Sequence, residues 1–196
     1  MKIIYAIMPG RDIYNGSSPE HLHRVMKRFH DRWWTEEFAP LRALVVKWFR
    51  ELYEINTGGH YSKLKESVLK HGFQNPIIVT AGKSLRRPPW KLPPHWPQSY
   101  LCEANGGSRL ALAQELDMDI PCIINGDAPG EELHTLDDVR SKFTDKTYDL
   151  RRHPRHGILS TPARLSHLGN YSMGENQQAV RKTVDQVLKK IDEMGY

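Results

Sequence analysis

The sequence predicts an α/β (α+β) protein: a small mixed sheet flanked by helices. Short apolar runs, KIIYAIM near the start, PIIVT at 76–80, YLC at 100–102 and IPCII at 120–124, have strand length and β-branched content. Between and around them lie stretches whose apolar residues recur at helical spacing. A sharp strand, glycine turn and helix succession, YLCEANGGSRLALAQEL, sits at the centre of this pattern.

In chain order, KIIYAIM reads as a strand that stops at Pro9 and Gly10. The segment GRDIYNGSSP reads as a loop, with Ser18 and Pro19 as the cap and first position of a helix. Leu22, Val25, Met26, Phe29 and Trp33 then keep helical spacing, and Arg24, Lys27, Arg28 and Asp31 give this helix a basic outer side. Pro40 opens a second helix with a broad stripe of Leu41, Leu44, Val45, Trp48, Phe49 and Leu52. These helices form an N-terminal helical elaboration over 18–55, packed on each other or on the sheet. NTGGH at 56–60 breaks the second helix, and a third runs from Tyr61 to His71.

The stretch AGKSLRRPPWKLPPHWPQ, 81–98, contains five prolines and two tryptophans, so it forms neither a helix nor a central strand. Arg86, Arg87 and Lys91 suit phosphates, and Trp90 or Trp96 suits base stacking. Equally, both tryptophans serve to pin the loop to the body of the protein. Thr135 and Asp138 make a capping box for a short helix to about Phe143. RRHPRHG at 151–157 is an irregular segment whose Arg151, Arg152 and Arg155, with His153 and His156, suit either a phosphate contact or a solvated loop. Residues 161–174 read as a long connection. A C-terminal helix at 175–194 carries a stripe of Val180, Val184, Val187, Leu188 and Ile191, which packs on its own chain or makes a homodimer.

At 196 residues the chain is long enough for one good core, so 1–196 reads as a single domain. A mean hydropathy of −0.61 and the lack of a long apolar run exclude a membrane span. Without a signal-peptide pattern, an intracellular, cytoplasmic and reducing location is expected, with Cys102 and Cys122 as reduced core thiols. Net charge is +5, but residues 1–98 carry sixteen Lys and Arg against eight Asp and Glu. That bias steers a polyanion, DNA or nucleotide, or an acidic protein partner, toward one side. His21, His23 and His30 place no pair at i,i+4, so no structural zinc is expected.

Gly106 and Gly107 can take backbone conformations that side chains resist, and N–H groups in the first turn of the helix that follows point outward. Asn105, Gly106, Gly107, Ser108 and Arg109 therefore form a candidate phosphate site. Arg109 either adds a fork of donors to a bound anion or pairs with a surface carboxylate.

The order KLKESVLKHGFQNPIIV, a separated strand, then NGGSRLALAQELDMDIPCII resembles the N-terminal domain of the ParB family and its sulfiredoxin-like relatives. The shared signs are a helix ending at Gly72, Pro76 before a strand, and the G-x-x-R turn of Gly106 to Arg109. The likeness spans about 60–126, with 81–98 as an insertion and the N- and C-terminal helices as additions. It implies binding of nucleotide or nucleic-acid phosphate and, if catalytic, nuclease, nucleotide-hydrolysing or phosphoryl-transfer activity with a divalent cation, Mg or Mn. In that case Glu103 is the candidate carboxylate, Arg109 the phosphate clamp, and His153 or His156 an acid or base.

The chain departs from relatives that carry glutamate, or in sulfiredoxins cysteine, where it has Gly107, and from those with aspartate where it has Asn105. No helix-turn-helix pair follows Asp127, which fits a compact accessory or mobile-element (phage) protein rather than a full partition protein. A non-catalytic protein-interaction module built on the Trp/Pro-rich loop is the alternative.

Overall fold

The computed structural model describes residues 2–16, 22–81, 100–102, 106–144, 151–152, 159–160, 164–167 and 170–196, with the backbone alone at 23, 151–152, 159–160, 164–167 and 170–177. Its strands are β1 (Ile3–Pro9), β2 (Tyr14–Asn15), β3 (Ile77–Ala81), β4 (Tyr100–Cys102), β5 (Asp119–Asn125) and β6 (Glu131–Leu133), joined in one mixed sheet ordered β2-β4-β3-β5-β1-β6. β1 runs antiparallel to both β5 and β6, β3 is parallel to β5, β4 is antiparallel to β3, and β2 is parallel to β4.

Strand alternation decides which side chains share a layer. Ile4, Ile77, Val79, Cys102, Ile120, Cys122 and Ile124 line one face and meet Leu110 and Ala113 of α4 (Gly107–Glu115). Ile78, Ile123 and Leu133 line the other, under Val139 of α5 (Leu136–Ser141) and Phe143. The α5 capping box forms as its sequence predicts: Asp138 N donates to Thr135 Oγ1 at 3.0 Å, and Thr135 N donates to Asp138 Oδ2 at 2.8 Å. Cys102 and Cys122 are buried and not joined in a disulfide, and burial pushes Cys122 well above the ordinary thiol range.

A helical layer forms from α1 (His23–Phe29), α2 (Ala39–Asn56) and α6 (Met173–Glu193). Val25, Trp33, Phe38, Leu41, Val45, Val187 and Ile191 fill it. The α6 stripe is therefore covered by its own chain, which is the first of the two packings its pattern allows. A homodimer through this helix would have to use its other sides.

α3 (His60–His71) joins the layers, because Leu64 and Val68 meet Leu112 on the outer side of α4. Its start is capped from α2: Glu54 accepts hydrogen bonds from Tyr61 N at 2.9 Å and Ser62 N at 3.0 Å. Tyr61 Oη and Lys65 Nζ both donate to Glu115, at 2.8 and 2.7 Å, tying α3 to the end of α4.

Four sequence expectations need correction. The first helix ends at Phe29 rather than running on to Trp33, because His30 takes φ +50° and a tight turn follows over His30–Trp34. That break lets Trp33 stack on Phe29 at 5.7 Å, while Arg42 of α2 donates to the carbonyls of Trp33 and Thr35. The loop after β1 contains the two-residue strand β2. Residues 161–174 hold a hairpin of β9 (Arg164–His167) and β10 (Asn170–Ser172) rather than only a connection. Arg151 and Arg152 form β7, paired with β8 (Leu159–Ser160), so RRHPRHG is not irregular throughout. No helix among the described residues is long and apolar enough to cross a membrane.

Candidate functional site

The glycine turn lies where β2 and β4, which are parallel, both end. Gly16 N after β2 donates to the Cys102 carbonyl at 3.0 Å, and α4 starts just beyond. Gly106 is its N-cap at φ +113°, ψ 8°, so close to β3 that an added Cβ would lie 2.2 Å from Ile77 Cγ2. Only glycine fits both the conformation and the space. Leu110 N donates back to Gly106 O at 2.7 Å, closing the first helical turn.

Three contacts hold this turn rigidly. Buried Asn15 of β2 donates from Nδ2 to the Gly107 carbonyl at 2.9 Å. Gln114 Nε2, two turns along α4, donates to Gly10 O and Ile13 O at 3.2 and 2.8 Å. Arg109 Nη1 donates to the carbonyls of Asn75 at 2.6 Å and Pro76 at 3.0 Å, the residues that lead into β3. Thr144 grips the same lead-in from the other side, through N to Asn75 Oδ1 and Oγ1 to Gln74 O. Of the two sequence readings for Arg109, an anion or a surface carboxylate, neither describes this nitrogen. It serves backbone carbonyls and positions α4 against β3.

The start of α4 carries no side-chain cap at Gly106 and no acidic residue in its first turn. No carboxylate of the helix's own first turn offsets the positive end of its dipole. Gly107, Ser108 and Arg109 are all half-buried there.

Of the other sequence candidates, Glu103, Asn105, Arg86, Arg87, Trp90, Lys91, Trp96, His153, Arg155 and His156 lie outside the described residues, and Arg151 and Arg152 are described by backbone only. Among the described residues no three His, Cys, Asp or Glu side chains group so as to hold a metal ion.

Sequence reasoning missed Asn15 and Gln114. Asn15 carried a faint signal, an Asn-Gly pair inside an apparent loop, whereas nothing local marks Gln114. No family model matches this chain, and neither a curated protein nor a solved structure matches it.

Proposed function

We propose that this chain binds the phosphate of a nucleotide or nucleic acid at the N-terminus of α4. The observation that carries this reading is a helix start on two glycines, with no side-chain cap and no first-turn carboxylate, at the paired ends of β2 and β4. Backbone N–H groups and the helix dipole together favour an anion at such a place. The resemblance of the G-x-x-R turn to the ParB N-terminal domain supports the same ligand class. Arg109 acts there by fixing the helix against the lead-in to β3. The described residues supply binding groups, and we derive no step of turnover from them.

Titration with inorganic phosphate, nucleoside di- and triphosphates and short DNA, at two salt concentrations, tests the reading. Ser108→Glu is the decisive variant. A carboxylate in the first turn suits the helix dipole and leaves the fold intact, yet it repels a phosphate from the same place. Binding by wild type that is lost in a normally folded Ser108→Glu protein is the expected result. No binding of phosphate or nucleotide by wild type, or equal binding of these by the variant, would overturn the site.

A further inference from the structure

The outer surface of α1 and α6 holds a feature that the glycine turn does not explain. An open groove of about 550 Å³ runs between the two helices. Arg24, Lys27 and Arg28 line its α1 side at i, i+3 and i+4, and Lys189 stands on its α6 side. Two carboxylates lie among these four cations: Asp185 pairs with Arg24 and Asp192 with Arg28. Among the described residues Lys189 pairs only with Glu193, at a long 3.9 Å.

We propose that this groove binds the sugar-phosphate backbone of a nucleic acid. Arg28 meets Asp192 through Nη1 and the Tyr196 carbonyl through Nη2, whereas Arg24 meets its aspartate through a single nitrogen and keeps 60% of its side chain exposed. A guanidinium has five donors, so one held this way presents a pre-oriented edge to a second anion. Ion pairs as exposed as these add little to stability, so folding alone does not account for the density of cations.

The lining also decides between polyanions. Among the described residues Leu188 is its one apolar lining side chain, and no aromatic residue lines it. A protein partner needs a buried aromatic or apolar anchor, whereas backbone phosphates need only Arg and Lys. The proposal stands apart from the glycine turn, since no residue is shared.

The test is fluorescence anisotropy of the full chain with labelled single-stranded and duplex DNA and RNA across a salt series. Two variants flank the wild type. Lys27→Glu/Lys189→Glu should weaken binding at least about tenfold at low salt and flatten the plot of log K against log salt by about 1.5 to 2. Asp185→Asn/Asp192→Asn should tighten binding severalfold, a gain that a folding defect cannot produce.

Circular dichroism checks that both variants are folded, and if the charge reversal fails to fold, the aspartate variant decides. Failure of wild type to bind any nucleic acid, unchanged affinity and slope in the deciding variant, or displacement of DNA by poly-glutamate at equal charge would overturn the proposal. Inorganic phosphate binding, read in parallel, is unaffected by the groove variants and separately reports the Ser108→Glu site.

Discussion

Replacing Gly106 by alanine probes the junction on which the glycine turn depends. The added methyl would lie 2.2 Å from Ile77 Cγ2 and 2.6 Å from Ile77 Cβ, where carbon atoms normally rest about 3.5 Å or more apart. Helix and strand must therefore separate by roughly 1 Å, which costs about 1–3 kcal/mol as overpacking. The φ of +113° adds about 1–3 kcal/mol of backbone strain for any residue with a Cβ. Together these place Gly106→Ala about 2–6 kcal/mol below wild type.

Gly58 separates the two effects. It also has positive φ, +64°, but an added Cβ there meets nothing within 4 Å, so Gly58→Ala should cost only the strain, about 1 kcal/mol. Equilibrium denaturant unfolding reads all of these differences. Ile77→Ala removes Cγ2 but keeps the Cβ at 2.6 Å, so the double variant Gly106→Ala/Ile77→Ala should recover part of the overpacking and be somewhat more stable than the sum of the single losses predicts. A Gly106→Ala loss no larger than that of Gly58→Ala, or strictly additive losses, would refute the packing argument.

Three further outcomes are expected. His60 is 5% exposed, and its pKa is lowered to about 4, chiefly by burial, against the opposing charge of Glu54. Because the folded pKa lies below the free value of 6.5, the unfolded chain binds the extra proton. Stability is complete above about pH 6.5, and up to about 3 kcal/mol is lost as pH falls toward 4. A His60→Gln protein should show a flatter stability profile over that range, and identical profiles would count against it. Arg109→Met removes the Nη1 donor shared by the Asn75 and Pro76 carbonyls; we expect a loss of about 1–3 kcal/mol in unfolding, and a neutral result would deny the positioning role. Thr135→Ala removes the α5 cap and should cost about 1 kcal/mol, read as a lower thermal midpoint.

Much of the sheet was legible because β3 and β5 are apolar runs whose two faces are both covered, and β1 is an apolar run even though Ile7 stays exposed. Ile77 and Val79 face α4 while Ile78 faces Phe143, so each strand stands out by composition alone. β2 and β6 were not legible: one has two residues, and the other reads Glu131-Glu132-Leu133, a short charged edge with little strand signal. The first helix was read too long because spacing from Leu22 to Trp33 fits a helix, and spacing alone does not report the positive φ of His30. The β9 and β10 hairpin carried a weak mark, two residues with Gly169 between RLSH and NYS. At the candidate site the glycines were visible, since turn chemistry is local. The partner of Arg109 was not, because it depends on where residues more than thirty positions away come to rest.

The placing of β1 has a consequence for how the protein assembles. This strand is not an edge but lies between β5 and β6, and Ile3 meets Asn125 across 122 positions of chain. Arg28 of α1 meets Asp192 of α6 across 164. Both layers are thus stitched by contacts distant in sequence, and neither the sheet nor the helical layer completes until late segments arrive. High contact order of this kind slows folding. Until β5 forms, Ile3, Ile4 and their neighbours have no strand to shield them, so the stretch most exposed to misassociation during synthesis is the one that ends in the middle of the sheet.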